Sequence, residues 1–197
     1  MLKIALTGPS GSGKGYIGAL LTSRGVPVYD TDEAVHRLYA DRAFSARLQD
    51  ALGCDILGEN GFIDRRKLGA VVFADENKMQ ALYALVYPAV RALCRDFLRD
   101  AAKNGCRAAA VDAPQLFEAG FEGDYDEIIS ISAPKRERLA RILRRDGIGK
   151  EQALLRMAHQ MSQRAYNNRA TAVIHNGARD DASEQLDRLL EKWGVNQ

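Results

Sequence analysis

Residues 2–15, LKIALTGPSGSGKG, hold a short apolar run that is followed at once by a glycine-rich turn and a lysine. The run Leu2–Thr7 is typical of a buried strand, and the pattern from Lys14 to Arg24 is typical of a helix. Between them the residues follow the spacing G-x-x-x-x-G-K. A loop with this spacing, placed between a strand and a helix, is typical of a phosphate-binding loop, or P-loop.

The chemistry of phosphate binding explains these residue types. Glycines let the backbone curl so that successive N–H groups point inward, and the following helix adds the positive end of its dipole. A lysine at position 14 can reach the outer phosphates. The alternative is an ordinary glycine-rich turn with a solvated lysine. We predict that the nucleotide is bound by Gly8, Gly11, Ser12, Gly13, Lys14, Gly15 and Tyr16.

The residue after Lys14 departs from the pattern. A Ser or Thr is expected there, because its hydroxyl binds the magnesium ion, and Gly15 has no side chain. The phenol of Tyr16, one position further along, points elsewhere and is too long. Three outcomes stay open: the ion is held by water and phosphate oxygens alone, it is bound weakly, or the chain turns over poorly.

The rest of the chain alternates short apolar runs with helical patterns. Strands separated by helices pair in parallel, so we expect an α/β fold with a five-stranded parallel sheet flanked by helices. The other strands are predicted at Val26–Asp30, Ala108–Asp112, Glu127–Ser132 and Ala172–His175. We interpret the long helical stretch after the second strand as an inserted acceptor-binding region. The predicted parts are a core of residues 1–31, 106–133 and 170–197, an insertion of residues 32–105, and a lid of residues 134–169.

Composition excludes several classes of protein. The 28 basic and 26 acidic side chains leave a formal charge of +2, which argues against a general nucleic-acid binder. No stretch approaches the roughly 20 apolar residues of a membrane helix, and the start is not that of a signal peptide, so we expect no membrane contact. Three scattered cysteines favour a reducing cytoplasm.

Carboxylates follow two of the predicted strands. Asp32 comes just after the second strand, where it could accept a proton from an alcohol or could merely cap the next helix. Asp30 is expected to orient Asp32 or a metal-bound water. Asp112 closes the third strand, as a metal-supporting carboxylate would. Glu118 is either a helix-surface residue or part of an acceptor pocket.

An arginine-rich helix is predicted at 134–145, with five arginines and one lysine. Arg138, Arg141 and Arg145 are spaced i, i+3, i+7 and so share one face. A solvated, salt-bridged surface is the usual meaning of such a run. The alternative is that this face closes over bound phosphates, together with a following helix at 149–161.

Taken together, these motifs resemble those of the dephospho-CoA kinase family of P-loop kinases, along nearly the whole chain. The matching elements lie at Gly8–Lys14, Asp30–Asp32, Gly61–Arg65, Tyr87–Val90, Asp112–Glu118, Arg144–Gly147 with Arg156 and Gln160, and Val173–Gly177. Two positions depart from the family pattern: Gly15 replaces a Ser or Thr, and Tyr87 replaces a histidine in the acceptor region.

The resemblance implies a P-loop kinase that uses ATP and Mg²⁺ to phosphorylate the ribose 3′-hydroxyl of dephospho-coenzyme A, with these two small molecules as its partners. It implies Asp32 as the base, Lys14 as the phosphate-binding lysine, and Arg141 and Arg145 as lid residues. It implies that Arg65, Tyr87 and Glu118 bind the acceptor and that Asn176 lies near the adenine. It also implies that Asp112 or Asp30 holds the metal through water. Two alternatives stay open: a weakly active or non-catalytic nucleotide- or CoA-binding paralogue, and a kinase of another small alcohol.

Overall fold

The computed structural model describes residues 1–195 of the chain. Within them, five strands form one sheet in the order β2-β3-β1-β4-β5. The strands are Leu2–Thr7 (β1), Val28–Asp30 (β2), Ala108–Asp112 (β3), Glu127–Ser132 (β4) and Ala172–His175 (β5). The pairings β1–β3, β1–β4 and β4–β5 are parallel. The predicted α/β fold with a five-stranded parallel sheet is confirmed, although β2 is two residues shorter than predicted.

The core lies where the central strand is covered on both faces. Ile4 and Leu6 on one face of β1 and Ala5 on the other are fully buried, as expected for a parallel sheet with helices on both sides. The alanine-rich strand β3, which is weak on propensity alone, is buried from Ala108 to Val111. Burial between neighbours thus decides its conformation, because strand propensity depends strongly on context.

Helices account for most of the remaining chain. Those within residues 1–195 are Lys14–Ser23 (α1), Thr31–Tyr39 (α2), Arg42–Leu52 (α3), Arg65–Val72 (α4), Glu76–Lys103 (α5), Lys135–Asp146 (α6), Lys150–Ala158 (α7), Gln163–Arg169 (α8) and Ala182–Lys192 (α9), with a 3₁₀ turn at Glu122–Asp124. Across those residues, no helix combines the length and apolar character that a membrane crossing requires.

The helix that follows α6 is shorter than its pattern predicts. The sequence predicts a helix over 149–161, but α7 ends at Ala158 and a separate helix, α8, begins at Gln163. Ser162 separates them, because its hydroxyl accepts a hydrogen bond from the Ala165 N–H at 3.1 Å and so caps α8.

The chain forms two compact units. One consists of Met1–Tyr29 and the chain from Phe97 onward, and the other consists of Asp30–Asp96. The second unit takes up most of the predicted insertion. The boundaries of core, insertion and lid drawn from the sequence remain a prediction.

An ion pair in the first unit links α1 to α9. Arg24 Nη2 donates to Asp187 Oδ2 at 2.9 Å and to the Ser183 hydroxyl at 2.7 Å. The hydrogen bond from Arg24 holds the pKa of the Asp187 carboxyl below its ordinary value. This carboxylate therefore stabilises the fold at neutral pH, and its contribution is lost as pH falls through the lowered pKa.

We expect Asp187→Asn to lower the free energy of unfolding at pH 7, with the difference from wild type shrinking as pH falls below the ordinary aspartate value of 3.8. Urea unfolding across this pH range measures the effect. Glu191→Gln, an exposed carboxylate on the same helix, is the matched control and should show no such trend. A stability difference that is the same at every pH would contradict the assignment.

Candidate active site

The glycine-rich loop between β1 and α1 has a backbone that only glycine accommodates. Gly11 and Gly13 have φ angles of +77° and +96°, in the left-handed region. A Cβ at Gly11 would lie 2.5 Å from the main-chain oxygen of Arg138, and one at Gly13 would lie 2.1 Å from the side-chain nitrogen of Asn176. The loop therefore packs directly against neighbouring elements without side chains of its own at these points.

The loop presents hydrogen-bond donors and a cation. Among residues 1–195, no side chain caps α1, whose first residue is Lys14. The N–H groups of Gly11 and Gly13 likewise donate to no group in the described chain. Lys14 Nζ lies over the loop and donates to the Gly8 carbonyl at 3.0 Å. Such donors, at the start of a helix and beside an ammonium group, form an anion-binding site.

Arg141 and Asn176 bind the outer side of this loop. Arg141 Nη1 donates to the carbonyls of Gly11 and Ser12 at 3.3 and 3.2 Å. Asn176 Nδ2 donates to the Ser12 carbonyl at 2.8 Å. Arg141 Nη2 donates to the Asn176 carbonyl at 2.7 Å and pairs with Glu137 at 3.3 Å. The two predicted residues thus meet at the loop, and Arg141 contacts its carbonyls.

Arg138 lies against the phosphate loop. A solvated surface is the usual meaning of such an arginine run, but Arg138 is only 7 % exposed. Its Nε donates to the Ser10 carbonyl at 3.0 Å. The phosphate loop covers the first turns of α6, and helical periodicity alone does not reveal which turns a distant loop will cover.

Arg145 lies further along α6, at its exposed C-terminal end. Its guanidinium pairs with the Asp146 carboxylate at 2.6 Å, and Arg156 of α7 pairs with the same carboxylate at 2.5 Å. The hydrogen bond from Arg145 keeps the pKa of Asp146 below its ordinary value. The predicted lid arginines therefore separate into Arg141 at the loop and Arg145 in a surface ion-pair cluster.

A cavity of about 460 Å³ lies beside the loop. Its volume suits a small-molecule ligand. Two predicted nucleotide-side residues, Tyr16 and Asn176, line it, and Tyr16 is 51 % exposed. The remaining lining residues are Ala178, Arg179, Asp180, Asp181 and Ala182.

Oxygen atoms suited to a hard cation lie at the ends of β1 and β3. Asp112 ends β3, and the next N–H, that of Ala113, donates to the Leu6 carbonyl at 2.9 Å. The hydroxyls of Thr7 and Ser12 are buried and have no hydrogen-bond partner within residues 1–195. Carboxylate and hydroxyl oxygens are the ligands that Mg²⁺ prefers, so this donor set fits the ion.

Glu118 lies after β3 in the same unit. Its Oε1 accepts a hydrogen bond from the Tyr166 hydroxyl at 3.2 Å. Burial raises the pKa of Tyr166, so the hydroxyl stays protonated and remains a donor. Glu118 is exposed and lies in a turn, so it is not a helix residue, and its place in an acceptor pocket stays a prediction.

In the second unit, Asp30 and Asp32 take different roles. Asp30 caps α2, since its Oδ1 accepts from the N–H groups of Asp32 and Glu33 at 2.8 and 3.4 Å. The sequence left open whether Asp32 is the helix cap. In the structure Asp30 is the N-cap of α2, and the Asp32 carboxylate is exposed at the start of the helix.

The second unit also holds a cation beside aromatic rings. The guanidinium carbon of Arg65 lies 5.9 Å from the centroid of the Tyr39 ring. Tyr83 and Tyr87 stack at 4.7 Å with an angle of 6° between their rings. Asp64 caps α4 and so fixes the point at which Arg65 begins that helix. Cationic and aromatic groups of this kind suit phosphates and flat rings.

Comparison with known proteins places the chain among enzymes of one kind. Residues 2–181 match the protein family described as dephospho-CoA kinase. The dephospho-CoA kinase of Geobacillus kaustophilus is 35 % identical over 194 residues, covering 98 % of this chain and 96 % of that one. The dephospho-CoA kinase of Brucella melitensis is 36 % identical and covers 96 % and 94 % of the two chains.

A solved structure shares the same fold over nearly its full length. The Thermus thermophilus protein TT1252 superposes with a TM-score of 0.82 at 33 % identity, covering 97 % of each chain.

Proposed function

The chain belongs to the dephospho-CoA kinase family, and we propose that it transfers the γ-phosphoryl group of ATP to the ribose 3′-hydroxyl of dephospho-coenzyme A, the last step of coenzyme A synthesis. The observation that carries the proposal is the phosphate loop. Its Gly11 and Gly13 N–H groups donate to no group in residues 1–195, and Lys14 lies beside them. Such a loop binds a polyphosphate.

The transfer follows from the roles of individual residues. Lys14 and the loop N–H groups bind the β- and γ-phosphates and stabilise the charge that builds as the bond between them breaks. Asp32 orients the 3′-hydroxyl and accepts its proton as the new oxygen–phosphorus bond forms. ADP leaves, and the proton stays on the Asp32 carboxylate until solvent removes it. The proposal requires Asp32 to face the γ-phosphate when both substrates are bound.

Magnesium fits the donor set at the strand ends. Asp112, or Asp30 in the second unit, would hold it through water, and the ion neutralises phosphate charge when bound. Because Asp30 uses one oxygen to cap α2, Asp112 is the stronger candidate.

The remaining predicted residues divide between the two substrates. Arg141 fixes the loop that binds ATP. Arg145, at the end of α6, supplies positive charge that offsets the charge of the transferred phosphoryl group. Asn176 and Tyr16 line the cavity in which we place the adenine. For the acceptor we propose Arg65 and Tyr87, whose charge and ring suit its phosphates and its base, and Glu118. We also propose that this chemistry takes place in the cytoplasm.

An acceptor-dependent assay tests the proposal. We expect ADP formation from ATP with dephospho-CoA, and none above background with its 3′-deoxy analogue, because the analogue lacks the attacking oxygen. A nucleoside and shikimate serve as alternative alcohols. Faster turnover of either alcohol than of dephospho-CoA would contradict the proposed substrate.

A substitution at Gly15 tests the role of magnesium and also tests whether the chain is a non-catalytic paralogue. A Cβ at this position would meet nothing within 4 Å, so Gly15→Ser fits without rearrangement. The added hydroxyl can bind magnesium, and we expect kcat/KM to rise by at most about tenfold, equivalent to ~1.4 kcal/mol, with saturation at lower magnesium. Titrating magnesium in the ADP assay measures both effects.

Gly15→Ala is the matched control, since it removes the helix cost of glycine, about 0.5–1 kcal/mol, without adding a ligand. We expect its magnesium dependence to match wild type. If the wild-type protein forms ADP only at the background rate and Gly15→Ser is active, the non-catalytic paralogue is favoured.

A further inference from the structure

Consecutive carbonyl groups of the phosphate loop accept hydrogen bonds from side chains of other elements. Arg138 binds the Ser10 carbonyl, and Arg141 binds the next two carbonyls, those of Gly11 and Ser12. Because these carbonyls are bound from outside the loop, the N–H groups of Gly11 and Gly13, which donate to no group in residues 1–195, are left for a phosphate. Side chains of α6 therefore help to set the shape in which the loop binds its ligand.

The two arginines differ in how their charge is balanced. Arg141 pairs with the Glu137 carboxylate at 3.3 Å. Arg138 is 7 % exposed, and no carboxylate in residues 1–195 lies within ion-pair distance of it. Burial lowers the pKa of the Arg138 guanidinium from its ordinary value, which still leaves it charged at neutral pH. A buried cation without an anion is unfavourable unless other groups compensate for its lost hydration.

The backbone packing at this point is unusually close. Because Gly11 has no Cβ, the loop backbone lies directly on the α6 backbone at Arg138. Ser10 is held from both sides, since its N–H donates to Gln160 Oε1 at 2.8 Å and its carbonyl accepts from Arg138 at 3.0 Å. A shift of Arg138 would therefore move the loop.

We propose that Arg138 is a positioning residue for polyphosphate binding: its Nε fixes the Ser10 carbonyl, and its buried charge is balanced when a polyphosphate occupies the loop. The inference rests on the proposed function only in requiring that the loop binds ATP. Water screens a buried charge less than an exposed one, so its attraction for the phosphates is stronger than that of a surface arginine. The ligand class is a nucleoside or inorganic polyphosphate.

Calorimetric titration with ATP and with inorganic tripolyphosphate tests this inference. We expect Arg138→Met to raise both dissociation constants by the same factor, about tenfold to a hundredfold, because a hydrogen bond from a charged donor is lost. Arg138→Lys keeps the charge and should therefore lose less affinity for both polyphosphates than Arg138→Met. Arg136→Met, on the exposed side of the same helix, is the matched control and should change affinity by less than about twofold.

Two further readouts separate positioning from a merely structural role. We expect the melting temperature of Arg138→Met without nucleotide to be no lower than that of wild type, because a poorly compensated buried charge has been removed. The KM for dephospho-CoA should also stay unchanged. The proposal would be overturned if ATP affinity is unchanged, or if the ATP dissociation constant and the KM for dephospho-CoA rise equally. It would also be overturned if Arg138→Lys binds ATP as weakly as Arg138→Met.

If Arg138→Met does not fold, Arg138→Lys and Arg138→Gln carry the same test, with the charged variant expected to bind polyphosphate more tightly than the neutral one. Polyphosphate binding that depends on Arg138 in a protein that fails to phosphorylate dephospho-CoA would support this inference while contradicting the proposed function.

Discussion

Replacing Lys14 with methionine is expected to lower kcat/KM for ATP by about 10²–10³-fold, the loss typical when one preorganised group that stabilises transition-state charge is removed. Lys14 is the first residue of α1, and its ammonium lies at the loop, 3.0 Å from the Gly8 carbonyl. Methionine keeps much of the side-chain volume and removes the charge. Steady-state kinetics with dephospho-CoA, together with ATP calorimetry, measures the loss.

Lys3→Met is the matched control for this change. Lys3 is an exposed lysine at the opposite end of the adjoining strand β1, so its removal lowers the net charge equally. We expect its kinetics to stay within about twofold of wild type, as for an ordinary surface substitution. Equal losses in the two variants would mean that net charge rather than a positioned ammonium accounts for the effect.

Replacing Asp32 with asparagine is expected to lower kcat by about 10²–10⁴-fold, the contribution of a positioned general base. The KM for ATP should change little, because Asp32 is assigned to the acceptor hydroxyl and not to the phosphates. Since Asp30 supplies the cap of α2, the substitution leaves that cap in place. Rates measured at saturating concentrations of both substrates test the prediction.

Glu33→Gln is the matched control for Asp32. Glu33 is the adjacent exposed carboxylate and pairs with Arg37 at 2.6 Å. Removing the Glu33 carboxylate should lower the free energy of unfolding by no more than a surface ion pair contributes, and it should leave kcat essentially unchanged. If Asp32→Asn turned over at the rate of Glu33→Gln, Asp32 would not be the base.

The strand–loop–helix unit at the start of the chain could be predicted closely from sequence. The apolar run, the glycine spacing and Lys14 each report local conformation, so β1 and the start of α1 lie at the predicted residues. A short turn also forms at 58–61, where the Gly61 N–H donates to the Gly58 carbonyl at 3.0 Å and Gly61 has a φ of +77° that favours glycine. Signals of this kind depend on neighbouring residues and need no tertiary context.

Other features depend on contacts that local patterns do not encode. Asp30 and Asp32 are both suitable caps, and only the structure shows which of them the helix uses. Arg138 follows the same spacing as Arg141, yet it is buried because a loop more than 120 residues earlier packs against it. An arginine on a charged helix is usually interpreted as exposed. In this chain, tertiary packing places it against the phosphate loop.

The most direct test of the central claim is to follow the transferred group itself. ATP labelled in its γ-phosphate is incubated with the protein, magnesium and dephospho-CoA, and the products are separated and analysed. We predict that the label appears on the ribose 3′-oxygen of coenzyme A, with one ADP formed for each label transferred. Label that remains in ATP, or that is released only as inorganic phosphate, would contradict the account.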